Sequence, residues 1–271
     1  MPGSEGSNGA TVTTQRRCVV LLLDDSKAWS PINFADMFIK HLSREGEVWH
    51  TLRVASGEDA IMPVLLLAAF DTFVLTGSRF NCRDGDSLTW FADLLKLIRG
   101  VAQDPSKRLY GGCFGCQAVA AALGGRVDYN PTAQSRRKFI LLAETIKMID
   151  CPTTRRLLKE APSTIDWKVL VSHGDCVHEL PPESELVGFS ESCAHEIFVA
   201  GEHRNILAAQ SHPEFDFEYA IRDRIWPAVV EKNERLDEDE AIVAQASFQA
   251  FGGRGDGSDA MMAMIQSFLT S

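Results

Sequence analysis

The stretch Arg108–Gly125, RLYGGCFGCQAVAAALGG, holds the reading that decides the fold. Arg108 to Gly112 has the length and apolar content of a short strand, and Cys116 to Leu123 is an alanine-rich helix former closed by Gly124-Gly125. The chain therefore passes from strand to helix across Gly111-Gly112-Cys113-Phe114-Gly115-Cys116-Gln117, with a helix stop where glycine can supply one. Glycines stand two before and two after Cys113. A nucleophile elbow needs small residues there, because the backbone folds tightly beneath a strained residue. The sulfur then sits at a helix N-terminus, where the dipole and unpaired N–H groups favour thiolate. With this chain's residue frequencies, a chance Gly-x-Cys-x-Gly-x-Gln is on the order of one in a thousand before context is counted.

Upstream, Cys18 to Leu23 (CVVLLL) is a continuous apolar run ending at Asp24-Asp25, the pattern of a strand buried on both faces. Phe34 to Leu42 has helical spacing, Glu47 to Val54 reads as a strand, and Asp71 to Leu75 is a short strand closed by Thr76-Gly77-Ser78. Trp90 to Ile98 places its apolar residues on one helical face. Strands alternating with helices predict an α/β fold with a doubly wound, mostly parallel sheet flanked by helices. Downstream, Lys168 to Val171, Leu186 to Ser190, Ile197 to Ala200 and Ile206 to Ser211 are strand candidates without long helices between them. They predict hairpin-like strands added to the sheet edge. Residues 131–165 are poorly patterned, the helical pattern resumes at Phe217, and Leu236 to Glu240 opens a C-terminal helical region broken by Gly252–Gly257. The expected organisation is a disordered tail over 1–15, one domain over 16–232, and a helical extension over 233–271 packed on it. The Arg254-Gly255-Asp256 tripeptide falls in that glycine-rich break and reads as a solvated link.

Composition narrows the function. The chain has 271 residues, 45% hydrophobic and 24% charged, enough for a full core and unlike fibrous or disordered chains. A net charge of -10 argues against nucleic acid and against an anionic membrane surface as partners. No apolar run approaches the ~20 residues of a membrane span, and the first residues lack a signal-peptide pattern. Seven cysteines, an odd number, predict a reducing compartment and hence the cytoplasm.

A thiol needs a base, and Ser211-His212-Pro213-Glu214 supplies one just after a strand candidate. Proline biases His212 toward extended geometry, in which residues i and i+2 point the same way. Glu214 is thus placed to orient the imidazole while His212 accepts the Cys113 proton. Both motifs sit at strand ends, which share one edge of such a sheet.

Taken together, these motifs resemble the class I glutamine amidotransferase superfamily, whose nucleophile turn commonly reads Gly-x-Cys-x-Gly-His-Gln and whose base segment reads His-Pro-Glu. Ser172-His173-Gly174-Asp175, followed by Val177 and Leu180-Pro181, is similar to the corresponding stretch in the amidotransferase domain of GMP synthetases. Leu75-Thr76-Gly77-Ser78 resembles the glycine turn that supplies an oxyanion-hole amide. The likeness runs from about Cys18 to Val230 and implies a flavodoxin-like fold. It also implies that Cys113 attacks a γ-glutamyl carbonyl, with His212 as base and Glu214 as its orienter. The N–H groups of Gly77 and Phe114 would hold the oxyanion, Gln117 would contact the glutamyl moiety, and Ser172, His173, Gly174 and Asp175 would bind its α-amino and α-carboxylate groups. No cofactor and no metal are implied. Two positions depart from the family pattern: Cys116 replaces the usual histidine, and Arg79 the usual proline after Gly-Ser.

Competing readings remain. Cys113 and Cys116 form a Cys-x-x-Cys pair suited to redox chemistry, which leaves the flanking glycines, Gln117 and His-Pro-Glu unexplained. A metal centre would need His173, His178, His195 or His203 to cluster with cysteines, and their spacing is not ligand-like. An amidotransferase-like scaffold would have no need to keep all three catalytic residue types. The chain carries no phosphate-binding Gly-x-x-x-x-Gly-Lys motif and no synthetase-sized stretch after Val230. The first expectation is therefore a freestanding hydrolase of glutamine or γ-glutamyl peptides, similar to cytosolic γ-glutamyl peptidases. The second is a glutaminase subunit that supplies ammonia to a separate synthetase.

Overall fold

Val19 and Leu21 pack into one hydrophobic cluster and Val20 into another, because helices cover both faces of the sheet these residues enter. The computed structural model describes residues 15–131, 139–158, 166–251 and 256–271. The tail expected over 1–15 and the link around Arg254-Gly255-Asp256 lie almost wholly outside them.

The strands are β1 (Arg16–Leu22), β2 (Glu47–Arg53), β3 (Thr72–Leu75), β4 (Arg108–Gly112), β5 (Arg126–Tyr129), β6 (Ile140–Met148), β7 (Asp166–His173), β8 (Asp175–Glu179), β9 (Glu185–Phe189), β10 (Ile197–Ala200) and β11 (Ile206–Ala209). The helices are α1 (Phe34–Leu42), α2 (Pro63–Ala69), α3 (Phe91–Gln103), α4 (Phe114–Ala122), α5 (Pro152–Leu158), α6 (Glu238–Phe251) and α7 (Asp256–Leu269). Nine strands form one sheet in the order β2-β1-β3-β4-β11-β10-β9-β6-β7, and β5 pairs with β8 in a separate ribbon. β2, β1, β3, β4 and β11 are parallel, and β10, β9, β6 and β7 continue the sheet with antiparallel pairings.

The alternating burial follows from this layering. Leu109 of β4 faces the cluster built with α3 and α4, while Tyr110 faces the cluster built with α1 and α7. α1 begins at a capping box, with Asn33 accepting from the amides of Ala35 and Asp36 while Asp36 accepts from the amide of Asn33. The C-terminal helices complete the layers: α6 lies on β6, and α7 lies on β7, β4 and α1.

Two sequence expectations change. Residues 131–165, read as poorly patterned, contain β6 and α5. β6 interrupts its apolar run with Glu144, a buried carboxylate that accepts from the Ser192 amide and hydroxyl at 2.6 Å each. That partner is far away in sequence, so local pattern did not show it. The strand candidate at Ile206 was placed with the edge hairpins, yet β11 lies beside β4 in the parallel core. This position brings the ends of β4 and β11 together. After β11 the chain enters a wide, π-type helical segment, Phe217–Ile225 continued by Pro227–Lys232.

Candidate active site

Cys113 is the turn residue between β4 and α4, with φ 49° and ψ -105°. An L-residue adopts such a backbone only where its surroundings enforce it. Here the Cys113 amide donates to Ala209 O of β11 at 2.8 Å, and its carbonyl accepts from the Gln117 amide at 3.1 Å. The two glycines are needed for backbone approach: a Cβ on Gly111 would lie 2.7 Å from the carbonyl of Gly115, and one on Gly115 would lie 2.7 Å from Leu75 O. Gly115 sits inside a helix, where alanine is ordinarily preferred. Gly115→Ala is therefore expected to destabilise by about 2–3 kcal/mol and to lower Tm by roughly 5–10 °C. A variant with unchanged or raised Tm in calorimetry would contradict the tight-elbow packing.

β11 leads to His212. The His212 amide donates to Leu170 O of β7 at 2.8 Å, and the ring stacks on Phe215 with centroids 4.0 Å apart and planes at 5°. Nδ1 donates to Glu214 Oε1 at 2.8 Å, which leaves Nε2 as the ring's other nitrogen, in a cavity that Cys113 also lines. Burial alone would lower the imidazole's proton affinity. The charges and hydrogen bonds of Cys113 and Glu214 overcome it and raise His212 to about 10. The imidazole is therefore held in its protonated form through neutral pH.

The other sequence-assigned residues surround this pair. A Cβ on Gly77 would lie 3.0 Å from His212 Cε1 and 3.9 Å from Cys113 Sγ, so the Gly77 turn packs directly against both. Phe114 opens α4, immediately after the thiol. The Ser172 carbonyl lies 3.7 Å from Cys113 Sγ. Ser172, His173, Gly174, Asp175 and Gln117 line the same cavity of about 290 Å³ as Cys113 and His212. Within it, Gln117 is buried and its Nε2 is committed to Asp175 O at 2.8 Å and Gln210 Oε1 at 3.1 Å. The Asp175 carboxylate is held by Arg83 Nε at 2.7 Å, so Asp175 presents mainly backbone. His173 Nδ1 faces Asp175 O at 3.0 Å, and burial lowers this histidine to about 4, leaving it neutral.

Sequence reasoning missed several residues. Phe215, next to the His-Pro-Glu motif, is the platform under the His212 ring. Glu196 is sealed from solvent and accepts from the Ser211 amide at 2.7 Å, fixing the peptide before His212. Burial raises Glu196 to about 7. Arg224 and Arg235 line the cavity from the wide helical segment and the turn after it. A local i→i+5 helix was the one signal available for Arg224, and sequence periodicity does not reveal such turns. Arg79 is held at the cavity rim by Asp25 at 2.6 Å and lies over the Phe80 ring at 4.4 Å.

Cys116 is fully buried, and desolvation holds its thiol protonated, far above the ordinary range. All seven cysteines are free thiols. Peroxide-inactivated wild type and Cys116→Ser should thus recover equally with dithiothreitol. Recovery that depends on residue 116 would restore the redox reading.

The α/β fold thus brings a thiol on a strand–elbow–helix turn and a carboxylate-bound histidine to one cavity. The family model for class I glutamine amidotransferases matches residues 91–220, so the chain carries a glutamine amidotransferase class-I domain over that stretch and is a hydrolase-type enzyme. Among its relatives, Gamma-glutamyl peptidase 4 of Arabidopsis thaliana is 28% identical over 197 residues, covering 71% of this chain and 72% of the relative. The GMP synthase [glutamine-hydrolyzing] of Neisseria meningitidis is 36% identical over 104 residues, 38% of this chain but 18% of that protein. The fold matches a crystal structure of a glutamine amidotransferase from Thermotoga maritima with TM-score 0.70 at 16% identity, covering 95% of this chain and 100% of the other. A second, from Methylobacillus flagellatus, matches with TM-score 0.72 at 18% identity and 94% coverage of each chain.

Proposed function

We propose that the protein is a hydrolase of the γ-glutamyl amide bond, acting on γ-glutamyl peptides and glutamine through a Cys113–His212–Glu214 triad. The observation that carries this reading is the strained elbow at Cys113, φ 49°, set against an imidazole whose other nitrogen is tied to Glu214 at 2.8 Å. In the first half-reaction Cys113 Sγ adds to the γ-carbonyl carbon, and the displaced π electrons form an oxyanion held by the N–H groups of Gly77 and Phe114. Collapse breaks the C–N bond, the His212 proton passes to the leaving amine, and a γ-glutamyl thioester remains on Cys113. Water then attacks with His212 as base, releasing glutamate and the thiolate. No cofactor or metal takes part in this scheme.

Two features favour peptides as substrates. The first is the similarity to Gamma-glutamyl peptidase 4 and Gamma-glutamyl peptidase 3 of Arabidopsis thaliana. The second is the pair Arg224 and Arg235 on the cavity wall, where guanidinium groups suit a carboxylate on the departing amine. A glutaminase that feeds a separate synthetase is the second reading, favoured by the local likeness to GMP synthase. Among the described residues no helix is long and apolar enough to cross a membrane, and seven free thiols suit the reducing cytoplasm.

The discriminating experiment offers glutamine, γ-glutamyl-cysteine, glutathione and its S-conjugates and folyl-polyglutamate to the purified protein, with glutamate and ammonia both measured. Partner-free and ATP-free release of glutamate from peptides is expected. Turnover of glutamine alone, rising when a ligase is added, would support the second reading, and no turnover of any substrate would support a non-catalytic binding protein.

A further inference from the structure

The turn from Thr76 to Arg79, whose Gly77 packs against Cys113 and His212, is fastened to the residues just past β1. Thr76 Oγ1 accepts from the Leu23 amide at 2.9 Å and donates to Gly77 O at 2.9 Å. Ser78 Oγ donates to Leu23 O at 2.5 Å. The Arg79 amide donates to Asp24 Oδ2 at 2.7 Å, and Asp24 Oδ1 accepts from the Ser26 amide at 2.8 Å. Asp24 is therefore a buried carboxylate, 7% exposed, with each oxygen engaged by a backbone N–H. Bonds of this charge-assisted kind are shorter and stronger than neutral ones.

The residue at position 79 decides whether the innermost tie exists. Proline, the residue of the amidotransferase pattern at this point, has no N–H to offer. Arginine supplies one to Asp24, and its Nε adds a second tie to Asp25 Oδ1 at 2.6 Å. That outer pair is exposed, with the Arg79 side chain 55% open to solvent, and such pairs contribute little. The buried bond from amide to carboxylate is the one able to hold a geometry. What it holds is close to the thiol: a Cβ on Gly77 would lie 3.5 Å from Cys113 Cβ. Among the described residues no backbone carbonyl accepts from the Gly77 amide, and Asp24, Ser78, Arg79 and Cys113 line one cavity.

We propose that Asp24 is a positioning residue for the reaction: its carboxylate, through the Arg79 amide, fixes the turn that offers the Gly77 N–H to the γ-carbonyl oxygen. The proposal rests on the γ-glutamyl reading above. An oxyanion donor works only when it is already in place as charge develops, and a misplacement of about 1 Å can lower the rate by roughly a hundredfold. Because the oxyanion exists only beyond the ground state, a loosened turn lowers kcat and leaves KM nearly unchanged.

The test compares Arg79→Pro, which deletes the amide donor, with Arg79→Ala, which keeps it and loses only the tie to Asp25, and with Asp24→Asn, which leaves one acceptor oxygen for two amides. The substrates are γ-glutamyl anilide and γ-glutamyl thioanilide, which differ only in the atom that takes up the negative charge, and aniline release is followed for both. Sulfur is the larger and weaker acceptor, so a well-placed donor favours the oxygen substrate. Arg79→Pro and Asp24→Asn are expected to lower kcat on the anilide about thirtyfold, with KM within about twofold of wild type, and to narrow the preference for oxygen over sulfur about tenfold. Arg79→Ala should lose only about two- to threefold in kcat. A raised KM with kcat kept would make Asp24 a substrate-binding group, and a full oxygen preference in the slowed variants would make its role structural. Either result, or equal losses in Arg79→Ala and Arg79→Pro, would overturn the proposal. If Asp24→Asn or Arg79→Pro does not fold, as circular dichroism would show, the other decides. Failure of the γ-glutamyl reading itself looks different: wild type then releases no aniline, or Cys113→Ala releases it as fast as wild type.

Discussion

Cys113→Ala should lose about four orders of magnitude in kcat on any γ-glutamyl substrate, because no other described group is placed to form the acyl intermediate. The same residue should be the site labelled by a glutamine-analogue chloroketone. Selectivity follows from thiolate character. Burial pushes the thiols of Cys18 and Cys82 up to about 12 and that of Cys116 well above the ordinary value, and the hydrogen bond with Cys176 together with burial does the same to Cys193. Cys113 instead lines the same cavity as His212, whose imidazole is held protonated. Peptide mapping that finds the label chiefly on Cys18, Cys82 or Cys151, or full turnover by Cys113→Ala, would contradict the elbow assignment.

His212→Asn should be nearly as inactive as Cys113→Ala, whereas Glu214→Gln should retain roughly a hundredfold more activity than His212→Asn, because an orienter is less costly to lose than a base. The pH dependence has a definite sign. His212 is raised to about 10, so the imidazolium persists through neutral pH, and activity should fall as pH rises through about 10. Its contribution to stability follows the same titration. It is full below the unfolded imidazole value near 6.5 and is lost as pH rises through the folded value. Glu214 is one of the two groups that raise His212, so in Glu214→Gln the alkaline limb of kcat/KM should move toward neutral pH. Small, equal effects of both substitutions with an unmoved limb would show that His212 is not the base.

Much of this was legible in the sequence because it is local. The elbow needs glycines at fixed offsets, and the chain carries Gly111 and Gly115 where a Cβ would meet backbone at 2.7 Å. Proline after His212 and the i, i+2 spacing of His212 and Glu214 were readable for the same reason. β1 was readable because a strand covered on both faces is apolar throughout. What escaped notice depends on distant partners. β6 buries Glu144 against Ser192, and β11 belongs beside β4 although its neighbours in sequence form hairpins.

The most direct measurement is mass spectrometry of acid-quenched enzyme during turnover of a γ-glutamyl peptide. A single glutamyl acyl group should appear on the peptide that contains Cys113, accumulate in wild type, and be absent from Cys113→Ala. Substrate consumed without any acyl adduct on Cys113, or with the adduct on another cysteine, would contradict the account.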